Sequence, residues 1–334
     1  MVFLIPETNF HFKVKAEMKT ICALLKERCF QGGAHPVWVS KVVKVNSNGD
    51  SERKGRLESD LVVFFTNLHT FENYLYRWGV VIEEIKEHLH KFQREKDISL
   101  KLEVESSKQP NPQALSFKLI DPDQEGRFVK FDVLLAYNVL GQFNYIKPSP
   151  KIYTDLISER TSKKLEDKFA TCLMVPQRIF LGSTPNKLKY LRDRVKDWYQ
   201  TCKKKLGKPL PPLYALELLT FYAWEYGSGV SDFNTTEGFK TVLELVTKYR
   251  QLRIYWTMCY DIKLQHRQLS GARPVILDPA DPATNVAGLN ADGWCLLAEE
   301  AMTYLDSEYF KYWDGSPVGS WDVPVIESWA CVLL

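Results

Sequence analysis

The hydrophobic period of this sequence changes near residue 147, and this change constrains the fold more than any other feature. Before it, short β-branched and aromatic runs alternate with turns rich in Pro, Asn, Asp and Gly, a pattern typical of strands. The predicted strands lie at 37–44, 60–65, 100–106, 114–121 and 127–137. After residue 147 the apolar positions repeat at helical spacing. The predicted helices lie at 152–161, 185–205, 213–226, 236–250 and 292–305.

Two helices are also predicted in the first part of the chain. Residues 15–29 place Met18, Ile21 and Leu25 on one face, and Gly32 follows as a stop signal. Residues 71–92 carry a similar apolar stripe. Helices packed against a small sheet therefore precede the helical part.

These elements predict an α+β fold. We expect an α/β lobe at residues 1–146, a mainly helical lobe at 147–322 and a flexible tail at 323–334. A length of 334 residues is enough for about two domains.

Composition excludes several classes of protein. With 45% hydrophobic and 25% charged residues, the chain has the make-up of a folded protein rather than a disordered one. A net charge of +3 does not by itself indicate a nucleic-acid binder. The seven cysteines are scattered without a C-x-x-C pair, and the start of the chain lacks a signal-peptide pattern, so a cytoplasmic protein with reduced thiols is expected.

Three carboxylates lie on predicted strands. Glu58 and Asp60 are two residues apart, so they project from the same face, and Asp132 lies between Phe131 and Val133 on a later strand. Carboxylates on adjacent strands can hold two Mg²⁺ ions for nucleotidyl transfer. The pattern alone is more typical of carboxylates that face solvent.

Basic residues flank the apolar face of the predicted helix at 187–205. Lys189, Arg192, Lys196 and Lys203 lie on one flank, and Lys187, Arg194 and Lys205 lie on the other. Two interpretations are open, a solvated rim of snorkelling side chains or a surface for RNA.

Seven segments carry a more specific signal. They are KERCF (26–30), VSKVVK (39–44), DLVVFF (60–65), ALSFKL (114–119), FDVLLAYNVLGQ (131–142), KLKYLRDRVKDWYQTCKKKLGKPLPPLYALELLTFYAWE (187–225) and RPVILDPADP (273–282). Together they resemble the 2′-5′-oligoadenylate synthetase family, from about residue 15 to about residue 321.

The resemblance implies a polymerase-β-like nucleotidyltransferase lobe followed by a helical lobe. It also implies an enzyme that is activated by double-stranded RNA, uses ATP and Mg²⁺, and makes 2′-5′-linked oligoadenylate in interferon-induced antiviral defence. By this resemblance the catalytic and metal-binding residues are Glu58, Asp60 and Asp132. The ATP-binding residues are Ser47, Lys196 and Tyr214.

Several residues depart from the family pattern where the chemistry takes place. The phosphate loop lacks its leading glycines, and residues 45–52 include two acids. Glu58 replaces an aspartate, Asp193 replaces an arginine that contacts the nucleotide, and Leu213 replaces a glutamine that orients the acceptor. We therefore expect weakened Mg²⁺ binding, weak or absent ATP binding and a degraded active site between the lobes.

The resemblance also assigns a groove for duplex RNA across both lobes. Its basic residues are Lys26, Lys44, Arg178 and Lys187. Gly182, Thr184 and Asn186 stand where the family usually carries lysine, arginine and threonine, so weakened binding is expected.

Three aromatic or terminal features complete the sequence-based predictions. Phe10, Phe12 and the stretch 310–313 are expected to pack inside a lobe. Tyr309 replaces the cysteine of a tripeptide that some family members use to oligomerise, which predicts an ordinary surface segment. Cys331 begins a possible prenylation box, which would give reversible membrane contact; an unmodified tail is the alternative.

Three functions remain open on the sequence. The leading one is a double-stranded-RNA-binding protein with little or no synthetase activity. The alternatives are a slow RNA-activated synthetase and a regulator that associates with an active family member and inhibits it.

Overall fold

The computed structural model describes most of the chain as two compact units. The described residues are 7–27, 38–46, 57–65, 71–95, 99–105, 115–124, 126–137, 172–173, 175–177, 180–182, 184–256, 259, 273–281 and 283–325. The first unit contains the described residues up to Tyr137 together with Cys172, Leu173 and Val175, and the second unit contains those from Pro176 onwards. The predicted boundary at residue 147 lies outside the described residues and stays a prediction.

A mixed five-stranded sheet forms the centre of the first unit. Its strands are β1 (Val39–Asn46), β2 (Leu57–Phe65), β3 (Lys101–Val104), β4 (Leu115–Ile120) and β5 (Phe128–Tyr137). They lie in the order β1-β2-β5-β4-β3. Strands β2 and β5 are parallel and the other neighbours are antiparallel.

The period of two in β4 and β5 gives these two strands one apolar and one more polar face. The odd-numbered side chains of 115–119 and 129–135, such as Phe117 and Phe131, are buried. Even-numbered ones, including Lys118, Lys130 and Asp132, are partly exposed, although Ala136 is buried. The polar side chains of these strands therefore share one face.

Two helices contribute long apolar stripes to the first unit. They are α1 (Glu7–Glu27) and α2 (Phe71–Glu95). The predicted start of the first helix, residue 15, was wrong, because Phe10 and Val14 continue its buried stripe towards the amino terminus. Phe10 is buried as expected, whereas the prediction for Phe12 was wrong because it lies on the exposed side of α1.

The second unit is mainly helical. Its helices are α3 (Asn186–Leu206), α4 (Leu213–Tyr226), α5 (Thr235–Thr247) and α6 (Ala291–Leu305), with 3₁₀ turns at Tyr249–Gln251 and Glu308–Phe310. Two short parallel strands, β6 (Arg253–Ile254) and β7 (Val275–Ile276), pair with each other. The helix predicted at 152–161 lies outside the described residues.

Local signals explain the ends of these helices. Helix α3 stops at Gly207, which adopts φ 59°, a conformation that glycine reaches without strain. Helix α5 begins at Asn234, whose side chain accepts hydrogen bonds from the backbone N–H groups of Thr236 and Glu237. The last described residues also contact helix α4, since the Pro324 carbonyl accepts a hydrogen bond of 2.7 Å from the Tyr222 hydroxyl.

The aromatic stretch at 310–313 divides between core and surface. Phe310 is buried as expected, but the prediction for Tyr312 and Trp313 was wrong, because both side chains are exposed. They follow a 3₁₀ turn, and residues 311–317 are exposed. Among the described residues, no helix is both long and apolar enough to cross a membrane.

Candidate active site and nucleic-acid interface

The parallel pairing of β2 with β5 brings the predicted carboxylates to one face of the sheet. Asp60 lies opposite Asp132, and Glu58 lies opposite Lys130. Side chains that are in register on neighbouring strands project from the same face. The backbone therefore carries Glu58, Asp60 and Asp132 together, although the side chain of Glu58 is outside the described part.

Asp132 is engaged by two neighbours on that polar face. Its Oδ1 accepts a hydrogen bond of 2.5 Å from Ser116 Oγ, and Lys130 Nζ lies 3.4 Å from the same oxygen. Lys130 Nζ also lies 3.7 Å from Glu105 Oε2, while Lys118 Nζ lies 2.6 Å from Glu105 Oε1. Two lysines and two carboxylates thus form one network.

The network favours the charged form of Glu105. A hydrogen bond from Lys118, aided by the charges of Lys130 and Lys118, lowers the pKa of Glu105 against the opposing effect of desolvation. The side chains of Lys130 and Asp132 are 29% and 36% exposed, so solvent screens the pair only in part.

The sequence contained a signal for Lys130 that our prediction missed. Residues two apart on a strand share a face, and Lys130 and Asp132 are two apart. Ser116 could not have been found in this way, because only the pairing of β4 with β5 places it opposite Asp132.

A magnesium ion bound to Asp132 Oδ1 would have to displace the contacts with Ser116 and Lys130. Mg²⁺ requires carboxylate oxygens at about 2.0–2.1 Å in nearly octahedral geometry. Here one oxygen already holds a hydroxyl proton and lies beside an ammonium group, which would repel a divalent cation. Within the described ranges, no three His, Cys, Asp or Glu side chains are grouped closely enough to hold a metal. The metal role of Glu58, Asp60 and Asp132 stays a prediction.

Helix α3 carries the predicted nucleotide contact Lys196 on a partly buried flank and Asp193 on its exposed side. On the same flank as Lys196, Arg192 is used for structure. Its Nη1 donates to the Leu181 carbonyl at 3.0 Å, and its Nη2 lies 3.7 Å from Glu217 Oε1. This flank is therefore partly a packing surface.

The other flank of α3 also contains structural contacts. Arg194 hydrogen-bonds to the Tyr309 hydroxyl and lies 5.1 Å from the centre of its ring. Lys205 Nζ lies 2.8 Å from Glu300 Oε1 of α6. Tyr309 is thus a partner of Arg194 within the unit, and the predicted loss of the oligomerisation role stays a prediction.

Helix α4 begins at two positions where the family resemblance implies contacts with nucleotides. Leu213 and Tyr214 are both half-buried, and both pack against the hydrophobic core of the second unit. The side chain of Leu213 offers no polar group, so it cannot supply the hydrogen bonds expected from a glutamine at this position.

Two of the predicted RNA-binding lysines belong to the first unit. Lys26 is exposed in the last turn of α1. Lys44 pairs with Leu61 across β1 and β2, so it lies on the face opposite Asp60. Its Nζ is 5.6 Å from the centre of the Phe131 ring, and desolvation lowers the pKa of its ammonium group.

The second unit contains Lys187 in the first turn of α3. Its Nζ forms an ion pair with the carboxylate of Asp232 and donates a hydrogen bond of 3.1 Å to the Phe233 carbonyl. The neighbouring Thr184 is buried, and its hydroxyl donates to the Leu181 carbonyl at 3.0 Å. Asp232 is 45 residues away from Lys187 in the sequence, and no local pattern reveals the pair.

The chain matches known proteins over its whole length. The sequence model of a family described as "2′-5′-oligoadenylate synthetase 1, domain 2, C-terminus" matches residues 146–326. A relative from Rattus norvegicus, "2′-5′-oligoadenylate synthase 1A", is 55% identical over 341 residues, covering 100% of this chain and 95% of the relative. The chain belongs to the 2′-5′-oligoadenylate synthetase family.

A second rat relative is named as inactive. "Inactive 2′-5′-oligoadenylate synthase 1B" is 51% identical over 332 residues, covering 96% of this chain and 86% of the relative. Overall identity to the synthetase family therefore does not distinguish an active chain from an inactive one, and the site residues must do so.

A solved structure supports the fold. The E. coli MS115-1 CdnC:HORMA-deltaN complex matches with a TM-score of 0.51 and 12% identity, covering 89% of this chain and 84% of that chain. The predicted α+β fold of the synthetase family, a polymerase-β-like lobe followed by a mainly helical lobe, is confirmed.

Some residues with predicted roles lie outside the described part. They are Ser47, Arg178 and Cys331. Their roles stay predictions, as do the nucleotide roles of Lys196 and Tyr214.

Proposed function

We propose that this synthetase-family protein binds double-stranded RNA in antiviral innate immunity while its oligoadenylate synthesis is lost or strongly impaired. The observation that carries this proposal is the ion pair of Asp132 with Lys130. By the family resemblance that carboxylate would hold a metal for nucleotidyl transfer, and here an ammonium group lies beside it.

Other departures act on different parts of the same reaction. Glu58 is longer than aspartate by one methylene, and a displacement of about 1 Å in a catalytic group can cost about 10²-fold in rate. Asp193 presents a negative charge where the triphosphate would need a positive one. Leu213 packs on the core rather than offering an amide to the acceptor. Defects in independent parts roughly add in free energy.

RNA binding rests on basic residues rather than on the carboxylates. A-form RNA is recognised mostly through its phosphates and 2′-hydroxyls, so positively charged side chains are its main requirement. Lys26 is exposed on α1, and Lys44 lies on the face of the sheet opposite Asp60. Loss of the metal site therefore leaves the charges proposed for RNA in place.

The test is a parallel measurement of synthesis and binding. The full chain is given ATP, Mg²⁺ and long duplex RNA, with the rat 1A relative as reference. We expect oligoadenylate to form at least about 10²-fold more slowly, because of the displaced ligand at Glu58 and the occupied Asp132. We also expect duplex RNA to bind with an affinity that falls as salt rises. Synthesis within tenfold of the reference would contradict the proposal.

A slow synthetase is the second candidate. It is favoured by the in-register pairing of Asp60 with Asp132, which leaves the two carboxylates side by side on the backbone. In that case RNA and Mg²⁺ would still stimulate a low rate in the same assay.

A further inference from the structure

The ion pair of Lys187 with Asp232 suggests how the RNA affinity of the second unit is set. We propose that Asp232 competes with RNA phosphates for Lys187 and thereby lowers the affinity of this chain for duplex RNA. The inference rests on the proposed RNA-binding function, and it adds Asp232, a residue to which the family resemblance assigns no role.

The loop that carries Asp232 is anchored on both sides. Before it, the Trp224 indole N–H donates to the Val230 carbonyl at 2.8 Å. After it, Phe233 is buried and Asn234 caps helix α5. These anchors fix the backbone on both sides of Asp232, which places its side chain near Lys187.

The position next to Lys187 is favourable for an anion. Lys187 lies in the first turn of α3, and that turn contains no acidic residue of its own and no side-chain cap. The amino terminus of a helix carries partial positive charge, which adds to the charge of the lysine. Asp232 thus supplies the negative charge that an RNA phosphate would bring to the same place.

Exposure makes this competition reversible. The side chain of Asp232 is 87% exposed and that of Lys187 is 48% exposed, so water screens their attraction. An RNA strand, with its high density of phosphates, can displace a single screened carboxylate. We therefore expect Asp232 to weaken RNA binding without abolishing it.

The experiment compares four variants of the full chain by fluorescence anisotropy with a labelled duplex RNA across a salt series. They are Asp232→Asn, Lys187→Ala, the double variant and the control Asp306→Asn. The control makes the same change in net charge at an exposed aspartate that ends helix α6.

We expect Asp232→Asn to increase RNA affinity by about two- to fivefold at low salt, as for removal of one exposed ion pair. The log–log salt dependence should steepen by up to about one unit, since Lys187 then neutralises a phosphate fully. In the Lys187→Ala background, Asp232→Asn should increase RNA affinity no more than the control Asp306→Asn does.

Two results would overturn the inference in distinguishable ways. If the unmodified chain binds RNA and loses affinity in Lys187→Ala, but Asp232→Asn behaves as Asp306→Asn, then Asp232 does not compete and the proposed function stands. If neither the unmodified chain nor Asp232→Asn binds duplex RNA at low salt, both the inference and the proposed RNA binding fail.

Discussion

The polar face of the sheet and the first turn of α3 contain the same kind of contact with opposite consequences. On the sheet, Lys130 neutralises Asp132, a carboxylate predicted to hold metal. On the helix, Asp232 neutralises Lys187, a lysine predicted to hold RNA. In each case a group of opposite charge occupies the position that the ligand would need.

The two pairs differ in what holds them. Lys130 and Asp132 belong to one strand, are about one-third exposed, and share further partners across β4. Lys187 and Asp232 join a helix to a loop at the surface. The pair on the sheet is less exposed and has further partners, so displacing it should cost more than displacing the screened surface pair. We therefore expect the catalytic loss to resist single substitutions and the RNA affinity to respond to one.

The largest expected difference is in the rate of oligoadenylate synthesis, between the Glu58→Asp variant and the rat 1A relative. This change restores the shorter carboxylate, but Lys130 still pairs with Asp132 and Leu213 still faces the core. We expect the initial rate of oligoadenylate formation to remain at least about tenfold below the rat 1A relative, since the remaining defects are independent. Full recovery would show that the pair on the sheet yields as readily as the pair on α3.

A third acid, Asp278 in the second unit, sharpens the contrast because its partners are neutral donors. It accepts hydrogen bonds from Gln177 Nε2 at 2.6 Å and from the Ala280 and Asp281 N–H groups at 2.8 and 3.2 Å. Desolvation by burial raises the pKa of Asp278 to about 7, whereas the lysine network lowers that of Glu105.

This difference predicts a pH dependence. The pKa of Asp278 in the folded state is higher than its ordinary value of 3.8, so the folded protein binds this proton more tightly than the unfolded chain does. Its contribution to the free energy of unfolding is therefore full below about pH 4 and is lost as pH rises to about 7. Asp278→Asn should remove most of that decline, which is at most about 4 kcal/mol for a shift of this size. Urea unfolding between pH 4 and 8 measures it, and an unchanged slope would exclude Asp278 as the cause.

The smallest effect should come from Lys187→Ala. Because Asp232 already neutralises much of this charge, we expect duplex RNA affinity to fall only about two- to fivefold, equally for all sequences. The salt dependence should flatten by up to about one unit. Glu58→Ala serves as the control that leaves binding unchanged. A much larger loss would mean that the pair with Asp232 is already broken in solution.

Local patterns were sufficient for most elements of the second unit. The apolar stripe of α3 and its Gly207 stop are encoded within a few turns of chain, as is the start of α4 after Pro212. The periodicity from Met18 onwards predicts a start of α1 that is too late, because the buried apolar stripe begins at Phe10. Aromatic residue type predicts packing for Tyr312 and Trp313, but it does not specify which side chains face solvent.

The sequence by itself determined the family, most of the succession of strands and helices, and the candidate carboxylates and basic residues, because motifs and periodicity are local properties of the chain. Only the tertiary structure decided the partners of those residues. The register of β4 against β5 places Ser116 at Asp132, and the loop before α5 brings Asp232 to Lys187 across 45 residues of sequence. Charges act through space and not along the chain, so the state of both candidate sites depends on contacts that exist only after folding.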